Sequence, residues 1–220
     1  MSVANKDLVS FSRFYDENGI LIDVSMDEML VFIEDEQKKG LVAEYVYERL
    51  YTRFLKIFDF PHYSVKEYTK KGVIEKRNVF NEEYKNGFLM MASCALLIET
   101  FAAFLEGHNE TPSGNSKSYT RVFEKAEEWE NDLKLFKNKQ IYKHIRCGLL
   151  HQAETTGKFK ITRRKDAEIF EGTTINAQKF FEALKKLLQT YKEYLTTADW
   201  NCAEWDACKM KIKHIVANSL

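Results

Sequence analysis

The sequence has few of the residues that end helices and turn the chain. Proline occurs only twice and glycine nine times among 220 residues, whereas average usage is about 5% proline and 7% glycine. Such a chain is predicted to form long helices with few connections. Hydrophobic residues make up 45% of the sequence and aromatic residues 14%. The chain can therefore fill a hydrophobic core, and wholesale disorder is excluded.

Cysteine motifs, targeting signals and long apolar runs are also missing. Four cysteines without a CxxC motif argue against a disulfide framework and a zinc ribbon, so we expect reduced thiols and no structural metal. The first residues, MSVANKDLVSFSRF, lack the basic start and apolar run of a secretory signal. The longest uncharged stretch in a helical pattern, Gly87–Ile98, is shorter than the ~20 residues of a membrane span. These absences predict a cytoplasmic protein that uses no cofactor and does not enter a membrane.

Hydrophobic spacing predicts an all-α fold, a bundle of about six to seven helices with a short β-hairpin insertion. Ser25 and Glu28 form a capping-box pattern at the start of the first helix. Between Gly87 and Leu105 the central helix has one charge, Glu99, and a helix that is apolar nearly all round belongs in the middle of a bundle. The predicted helices cover residues 25–40, 41–58, 81–106, 119–136, 138–154, 176–197 and 201–218.

Some segments depart from helical spacing. Phe159 and Ile161 alternate with polar residues, so residues 158–170 are predicted to form the hairpin. Residues 20–24 are either a short strand or a packed lead-in. Residues 62–77 are charged and without period, and are predicted to be a connection.

Charge is balanced overall but uneven along the chain. Thirty-three Lys and Arg against thirty-three Asp and Glu give a net charge of zero, which excludes a uniformly basic nucleic-acid coat and an acidic tail. Residues 134–165, however, contain ten basic side chains and one acidic residue, Glu154, and carry +9, while the rest of the chain carries −9. Such a region can attract a polyanion to one part of the surface. A solvated charged helix and turn is the purely structural alternative.

The helix predicted at residues 138–154 lies in this basic region and has two apolar sides. At 100° per residue, Cys147 and Leu150 lie on one side, flanked by Arg146 and His151. The opposite side, which is expected to pack into the bundle, is formed by Ile141, Tyr142, Ile145 and Leu149. A helix with two apolar sides usually has two neighbours, and two-fold dimers are the commonest oligomers. The pattern predicts a homodimer through this helix, with Arg146 and His151 of both chains in one cleft.

Arginine and histidine together supply what cleavage of RNA requires. The planar guanidinium matches phosphate oxygens, and histidine titrates near neutral pH and can transfer a proton. The ribose 2′-hydroxyl is a nucleophile beside the scissile phosphate, so the chemistry needs no metal. A buried acid normally has a partner, and we expect Glu99 to pair with Arg146 and to orient it.

The string Arg146-Cys147-Gly148-Leu149-Leu150-His151 resembles the R-x(4–6)-H signature of HEPN domains. The resemblance implies an all-helical unit that dimerises through this helix. It also implies a metal-independent endoribonuclease of toxin–antitoxin, anti-phage or RNA-processing systems, with an antitoxin or regulatory protein as a further partner. In catalytic members the position after the arginine is often Asn, Asp or His, and here it is cysteine.

This resemblance covers at most residues 80–198, in which the helix with Ser93 and Glu99 is similar to the earlier core helix of the domain. The chain is accordingly divided into an N-terminal helical extension, residues 1–79, and a HEPN-like bundle with the hairpin and a C-terminal helix, residues 80–220.

The candidate site combines the resemblance with the charge pattern. His151 is the predicted general acid and base, Arg146 is predicted to hold the phosphate, and Glu99 is predicted to orient Arg146. The candidate substrate-binding residues are Lys143, His144, Arg163 and Arg164. RNA is the predicted substrate.

Three alternatives stay open. The chain could be a catalytically inactive HEPN-like module that binds a partner protein or nucleic acid. His144, Cys147 and His151 share a stripe at i, i+3 and i+7 that could hold a metal or activate the thiol. The first eighty residues could cover the site and regulate it.

Overall fold

Helices joined by short strands and turns form most of the protein. The computed structural model describes residues 10–60, 63–70, 72–80, 86–109 and 116–219. Its helices are α1 (Met26–Phe32), α2 (Lys39–Leu50), α3 (Gly87–Glu106), α4 (Ser116–Glu128), α5 (Cys147–Gln152), α6 (Ala177–Thr197) and α7 (Ala203–Ser219). Single 3-10 or π turns cover Glu36–Lys38, Tyr51–Leu55, Lys56–Phe58, Asp132–Phe136 and Tyr142–Arg146. The predicted all-α bundle with short β insertions is confirmed.

The strands form three small sheets among the described residues. They are β1 (Ser10–Tyr15), β2 (Leu21–Ser25), β3 (Tyr63–Lys70), β4 (Val73–Phe80), β5 (Lys160–Thr162), β6 (Phe170–Glu171) and β7 (Thr174–Asn176). β1 pairs with β2 and β3 with β4, each antiparallel. In the third sheet β7 lies in the middle, parallel to β5 and antiparallel to β6.

The core is built around α3, as its composition predicts. This helix packs against α4, α6 and α7, and Gly107, in the left-handed region with φ 72°, ends it. α3 is also long and apolar enough to cross a membrane, yet 67% of its most apolar stretch is buried inside the protein. It therefore has the burial of a core helix.

Residues 10–60 share this core. Ser25 and Glu28 form the predicted capping box at the start of α1, and α2 packs on α6. Met29 and Val46 belong to the same buried cluster as the apolar residues of α3 and α6. The predicted division at residues 79 and 80 stays a prediction, but a chain that began near Phe80 would expose this part of the core.

The strand predictions need two corrections. Residues 62–77 are not a plain connection, because β3 and β4 form a regular hairpin there. Glu67 and Lys76 form a cross-strand ion pair in it. The two strands lack the apolar alternation from which a strand is predicted in the sequence. Residues 158–170 do not pair as a hairpin, because β5 pairs with β7, whose residue Ile175 is fully buried.

The long helix predicted at residues 119–136 is also wrong. α4 stops at Glu128, and Glu130 adopts a positive φ of 51°. The buried Asn131 then caps a separate 3-10 turn by accepting from the Leu133 amide, and it donates to the Ala183 carbonyl of α6. A contact 52 residues away in sequence thus ends this helix. The predicted start of the third helix at residue 81 lies outside the described residues.

Candidate active site

The predicted pair of Glu99 and Arg146 is present and defines the site. Glu99 lies on α3, and Arg146 is the last residue of the π turn that leads into α5. Arg146 Nε donates to Glu99 Oε1 at 2.7 Å, and Nη2 donates to Oε2 at 3.3 Å. The side chains are 22% and 14% exposed. The bidentate geometry is that of a strong, directional ion pair, and its partial exposure leaves it reachable from solvent.

Two tyrosines surround this ion pair. The guanidinium carbon of Arg146 lies 5.6 Å from the ring centroid of Tyr142, within the range of a cation–π contact. The Tyr119 ring lies 5.5 Å from that of Tyr142, and its hydroxyl donates to the Ala95 carbonyl. Neither tyrosine was singled out from the sequence as part of the site, although Tyr142 precedes Arg146 by four residues, the spacing of helical neighbours.

Burial and the Glu99–Arg146 pair shift the pKa values of Arg146 and the two tyrosines. The hydrogen bond with Glu99 raises the pKa of the Arg146 guanidinium. Burial, reinforced by the negative charge of Glu99, raises the pKa of Tyr119 well above its ordinary value. Burial and then a hydrogen bond with Cys147 raise the pKa of Tyr142. Arg146 therefore stays a cation and the tyrosines stay neutral at physiological pH.

His151 lies in the last turn of α5 and is exposed. Among the residues that the structure describes, no hydrogen bond or ion pair reaches its ring. It is on the same helical segment as Arg146, five residues later, and the structure shows no direct contact between the two side chains. The predicted convergence of Arg146 and His151 concerns two chains and stays a prediction.

The loop after α5 packs closely onto the helix and fixes its end. Ala153 is left-handed, with φ 53°. A Cβ at Gly148 would come within 2.5 Å of the Glu154 carbonyl oxygen, and one at Gly157 would overlap the His144 ring. Glycine is therefore required at both positions.

The His144 side chain contacts this loop. Its Nδ1 lies 2.9 Å from Oγ1 of Thr156 and its Nε2 lies 3.0 Å from Oε1 of Gln140, and its ring stacks on Phe159 at 5.5 Å. Both ring nitrogens thus have partners within the chain. Among the described residues, no three His, Cys, Asp or Glu side chains are grouped closely enough to hold a metal ion, and the stripe of His144, Cys147 and His151 is not brought together as a ligand set.

The other predicted substrate-binding residues differ in how they are held. Arg163 donates to Asn86 Oδ1 at 2.6 Å and to Gln178 Oε1 at 3.3 Å, which ties the β5 segment to α3 and α6. The exposed Arg164 pairs with Asp166 at 2.7 Å. Lys143 is exposed beside Tyr142. Their binding of substrate stays a prediction.

An apolar strip that the sequence interpretation missed adjoins the pair. Because α3 is apolar nearly all round, the sequence predicts that it lies in the middle of the bundle. In the structure, however, Phe88, Leu89 and Leu96 are exposed. At 100° per residue they lie within about 100° of each other on α3, and Glu99 lies on the same face. Leu150 of α5, which packs against α3, is exposed as well. We call these four apolar residues the α3–α5 strip.

Comparison with known proteins adds no assignment. The chain matches no protein-family model, no curated protein and no solved structure. The resemblance to HEPN domains therefore remains a prediction from the residues quoted for it.

Proposed function

We propose that this protein is a metal-independent endoribonuclease that cleaves single-stranded RNA at a site shared by two copies of the chain. The observation that carries the proposal is the bidentate Glu99–Arg146 pair, partly exposed beside the apolar α3–α5 strip. A guanidinium fixed at the edge of a surface suited to a second subunit is arranged to hold a phosphate at an interface.

Arg146 would bind and neutralise the scissile phosphate. Glu99 occupies two of its N–H donors, and a guanidinium has five, so the remaining donors can hydrogen-bond to phosphate oxygens. Because Glu99 fixes the plane of the guanidinium, little reorganisation is needed when negative charge grows in the transition state. Glu99 acts through Arg146 and is a positioning residue.

His151 would transfer the protons. The imidazole removes the proton of the ribose 2′-hydroxyl, the 2′-oxygen bonds to phosphorus, and the bond from phosphorus to the 5′-oxygen breaks. A histidine then returns a proton to the leaving 5′-oxygen, which yields a 2′,3′-cyclic phosphate and a 5′-hydroxyl. The exposure of His151 and the tight loop that fixes the end of α5 support this role.

The second chain would complete the site. Burial of the α3–α5 strip against its symmetry mate places two copies of the α5 segment side by side, and each copy brings an Arg146 and a His151. The positive residues 134–165 would attract RNA to this furrow. A role in toxin–antitoxin or anti-phage systems, a cytoplasmic location and an antitoxin or regulatory partner follow from the resemblance alone and belong to the same proposal.

The test is cleavage of single-stranded RNA in the presence of EDTA. We expect the wild type to cleave and His151→Ala to lose about 10²–10⁴-fold in rate, the usual contribution of general acid–base catalysis. His108→Ala, an exposed histidine paired with Glu106 near the end of α3, is the matched control and should cleave like the wild type.

Other outcomes reject the proposal. Equal cleavage by His151→Ala and the wild type would identify a contaminating nuclease. A folded dimer without cleavage would favour the inactive module that binds a partner protein or nucleic acid. A monomer at all concentrations would remove the shared site.

A further inference from the structure

A cavity next to the Arg146 pair is not used by the proposed mechanism. It lies between α4 and residues 137–143 and has a volume of about 460 Å³. Pockets for small ligands usually measure about 300–1,000 Å³, so the cavity has room for one nucleoside-sized group. Tyr142 lines this cavity and also contacts the Arg146 guanidinium. The cavity and the Arg146 guanidinium therefore share Tyr142 as a neighbour.

The inner wall of the cavity is aromatic. It is lined by Tyr119, Phe123 and Tyr142. The ring of Tyr119 is inclined by 71° to that of Phe123 and by 67° to that of Tyr142. Tyr119 and Phe123 are buried whereas Tyr142 is half-buried, so Tyr142 offers the ring surface on which a planar base can stack. Stacking of a base on an aromatic side chain is worth about 1–3 kcal/mol per base.

The rim of the cavity is positive. Lys137, Lys139 and Lys143 line it, and no acidic residue does among the part of the chain that the structure describes. Lys137 is paired with Glu127, and Lys139 lies over the Phe170 ring. Lys143 has no ion pair with any described residue, so its ammonium group is the one most available to a ligand. An aromatic wall below lysines suits a flat ring that carries an anionic group.

We propose that this cavity is a specificity subsite that binds one unpaired base of the RNA strand, in the nucleotide next to the scissile phosphate. The base stacks against Tyr142, and Lys143 contacts the phosphate that follows the base. At the rim, the Asn138 side chain can hydrogen-bond to the edge of the base, and so can the amide nitrogen of Gln140, whose oxygen is paired with His144. This inference rests on the proposed function for the identity of the strand, but the binding it describes can be measured without cleavage.

Binding of an uncleavable RNA tests the subsite. The probe is a short single-stranded RNA with 2′-O-methyl groups, titrated against the full chain and followed by fluorescence anisotropy, with each of the four bases varied in turn. Thr120 is exposed and lines the cavity, so Thr120→Trp fills it from the rim. We expect this variant to weaken binding at least tenfold and to abolish the preference for one base.

Thr197→Trp is the matched control. Thr197 is an exposed helical threonine whose hydroxyl donates to the carbonyl four residues earlier, as that of Thr120 does, and it is not among the residues that line the cavity. This variant should bind like the wild type. Circular dichroism and the Tm of both variants confirm that they fold.

A second variant tests the phosphate contact. Lys143→Gln should lower the dependence of log K on log salt by about 0.7, the value for one phosphate contact on a single strand. Lys186→Gln, an exposed lysine of α6, should leave the slope unchanged. An unchanged slope with Lys143→Gln would remove this lysine from the subsite.

The outcomes separate the subsite from the nuclease. Equal binding by Thr120→Trp and the wild type overturns the subsite, even if His151→Ala abolishes cleavage. Loss of binding with Thr120→Trp in a protein that never cleaves upholds the subsite and rejects the nuclease. If a free 5′-mononucleotide binds at the cavity as tightly as the oligomer does, the ligand is a soluble nucleotide and the assignment to the RNA strand is wrong.

Discussion

Lys125 and Arg146 each pair with a carboxylate and lie beside an aromatic ring, and the two cations differ in how far they are covered. Lys125 of α4 bonds to Glu128 at 2.9 Å and to Glu204 of α7 at 3.1 Å. Its ammonium lies over the rings of Trp129 and Tyr194, and its side chain is only 4% exposed. The lysine is enclosed, although Glu128 is 54% exposed, and the cluster joins α4, α6 and α7.

The Arg146 cluster has the same chemistry but stays open. Its cation lies beside Glu99 and Tyr142, and the side chain is 22% exposed. Glu99 lies on the same face of α3 as the apolar strip, and Tyr142 also lines the cavity, whereas Lys125 is packed between α4, α6 and α7. From this comparison we expect the Lys125 cluster to matter for stability and the Arg146 cluster to be accessible to a ligand.

Of the two clusters, the larger loss of stability is expected at Lys125. Lys125→Met should lower the free energy of unfolding by about 1–3 kcal/mol, because it leaves the partly buried Glu204 carboxylate without its lysine partner, whereas Glu128 stays solvated. Denaturant unfolding measures the change. RNA cleavage by the remaining folded protein should equal that of the wild type, and a selective loss of cleavage would contradict the separation of the two clusters.

Glu99→Gln should reduce cleavage more than stability, the reverse of what we expect for Lys125→Met. The amide retains the shape and one acceptor but loses the charge, so Arg146 is held less firmly. We expect cleavage to fall about 10²-fold, the cost of moving a catalytic group by about 1 Å, with a loss of stability near 1–2 kcal/mol. Glu99→Asp, which restores the carboxylate, should recover part of the rate. A large loss of stability with unchanged cleavage would make the pair purely structural.

Alkaline pH should lower the free energy of unfolding through Cys208, a buried residue of α7. Burial raises the pKa of the Cys208 thiol to about 12, whereas a thiol in the unfolded chain has a pKa near 8.5. The unfolded state therefore loses its proton first, so this contribution is complete below pH 8.5 and is lost as the pH rises toward 12.

Urea unfolding between pH 8.5 and 10 measures this contribution. Cys208→Ala should reduce the fall in stability by about 1.4 kcal/mol per pH unit. Cys202→Ala, in the turn before α7, is the control and should keep the wild-type slope. If both variants have the wild-type slope, the thiol of Cys208 is not the source.

The smallest expected change in the stability of the single chain follows from a substitution in the α3–α5 strip. Leu96→Ala should change the stability of the monomer by less than about 0.5 kcal/mol, since Leu96 is 39% exposed. It should raise the dissociation constant of the dimer at least tenfold in sedimentation measurements. Leu97→Ala, at the fully buried neighbour, should instead cost about 2–5 kcal/mol of stability. An unchanged dimer with Leu96→Ala would place the interface elsewhere.

The sequence by itself determined the all-α bundle, the capping box at Ser25 and the Glu99–Arg146 pair. Helical spacing and caps are local, with partners three or four residues apart, and a lone acid in an apolar helix has few possible partners. These features could be read from neighbouring residues and from simple charge balance.

Only the tertiary structure decided the features that depend on distant contacts. The end of α4 is set by the hydrogen bond of Asn131 to α6, and the pairing of β5 with β7 is set by the burial of Ile175. The exposed side of α3 and the cavity beside Tyr142 exist because of which helices pack there and which do not. Packing of elements far apart in the chain has no local period, so no pattern in the sequence could place the open surface around Arg146.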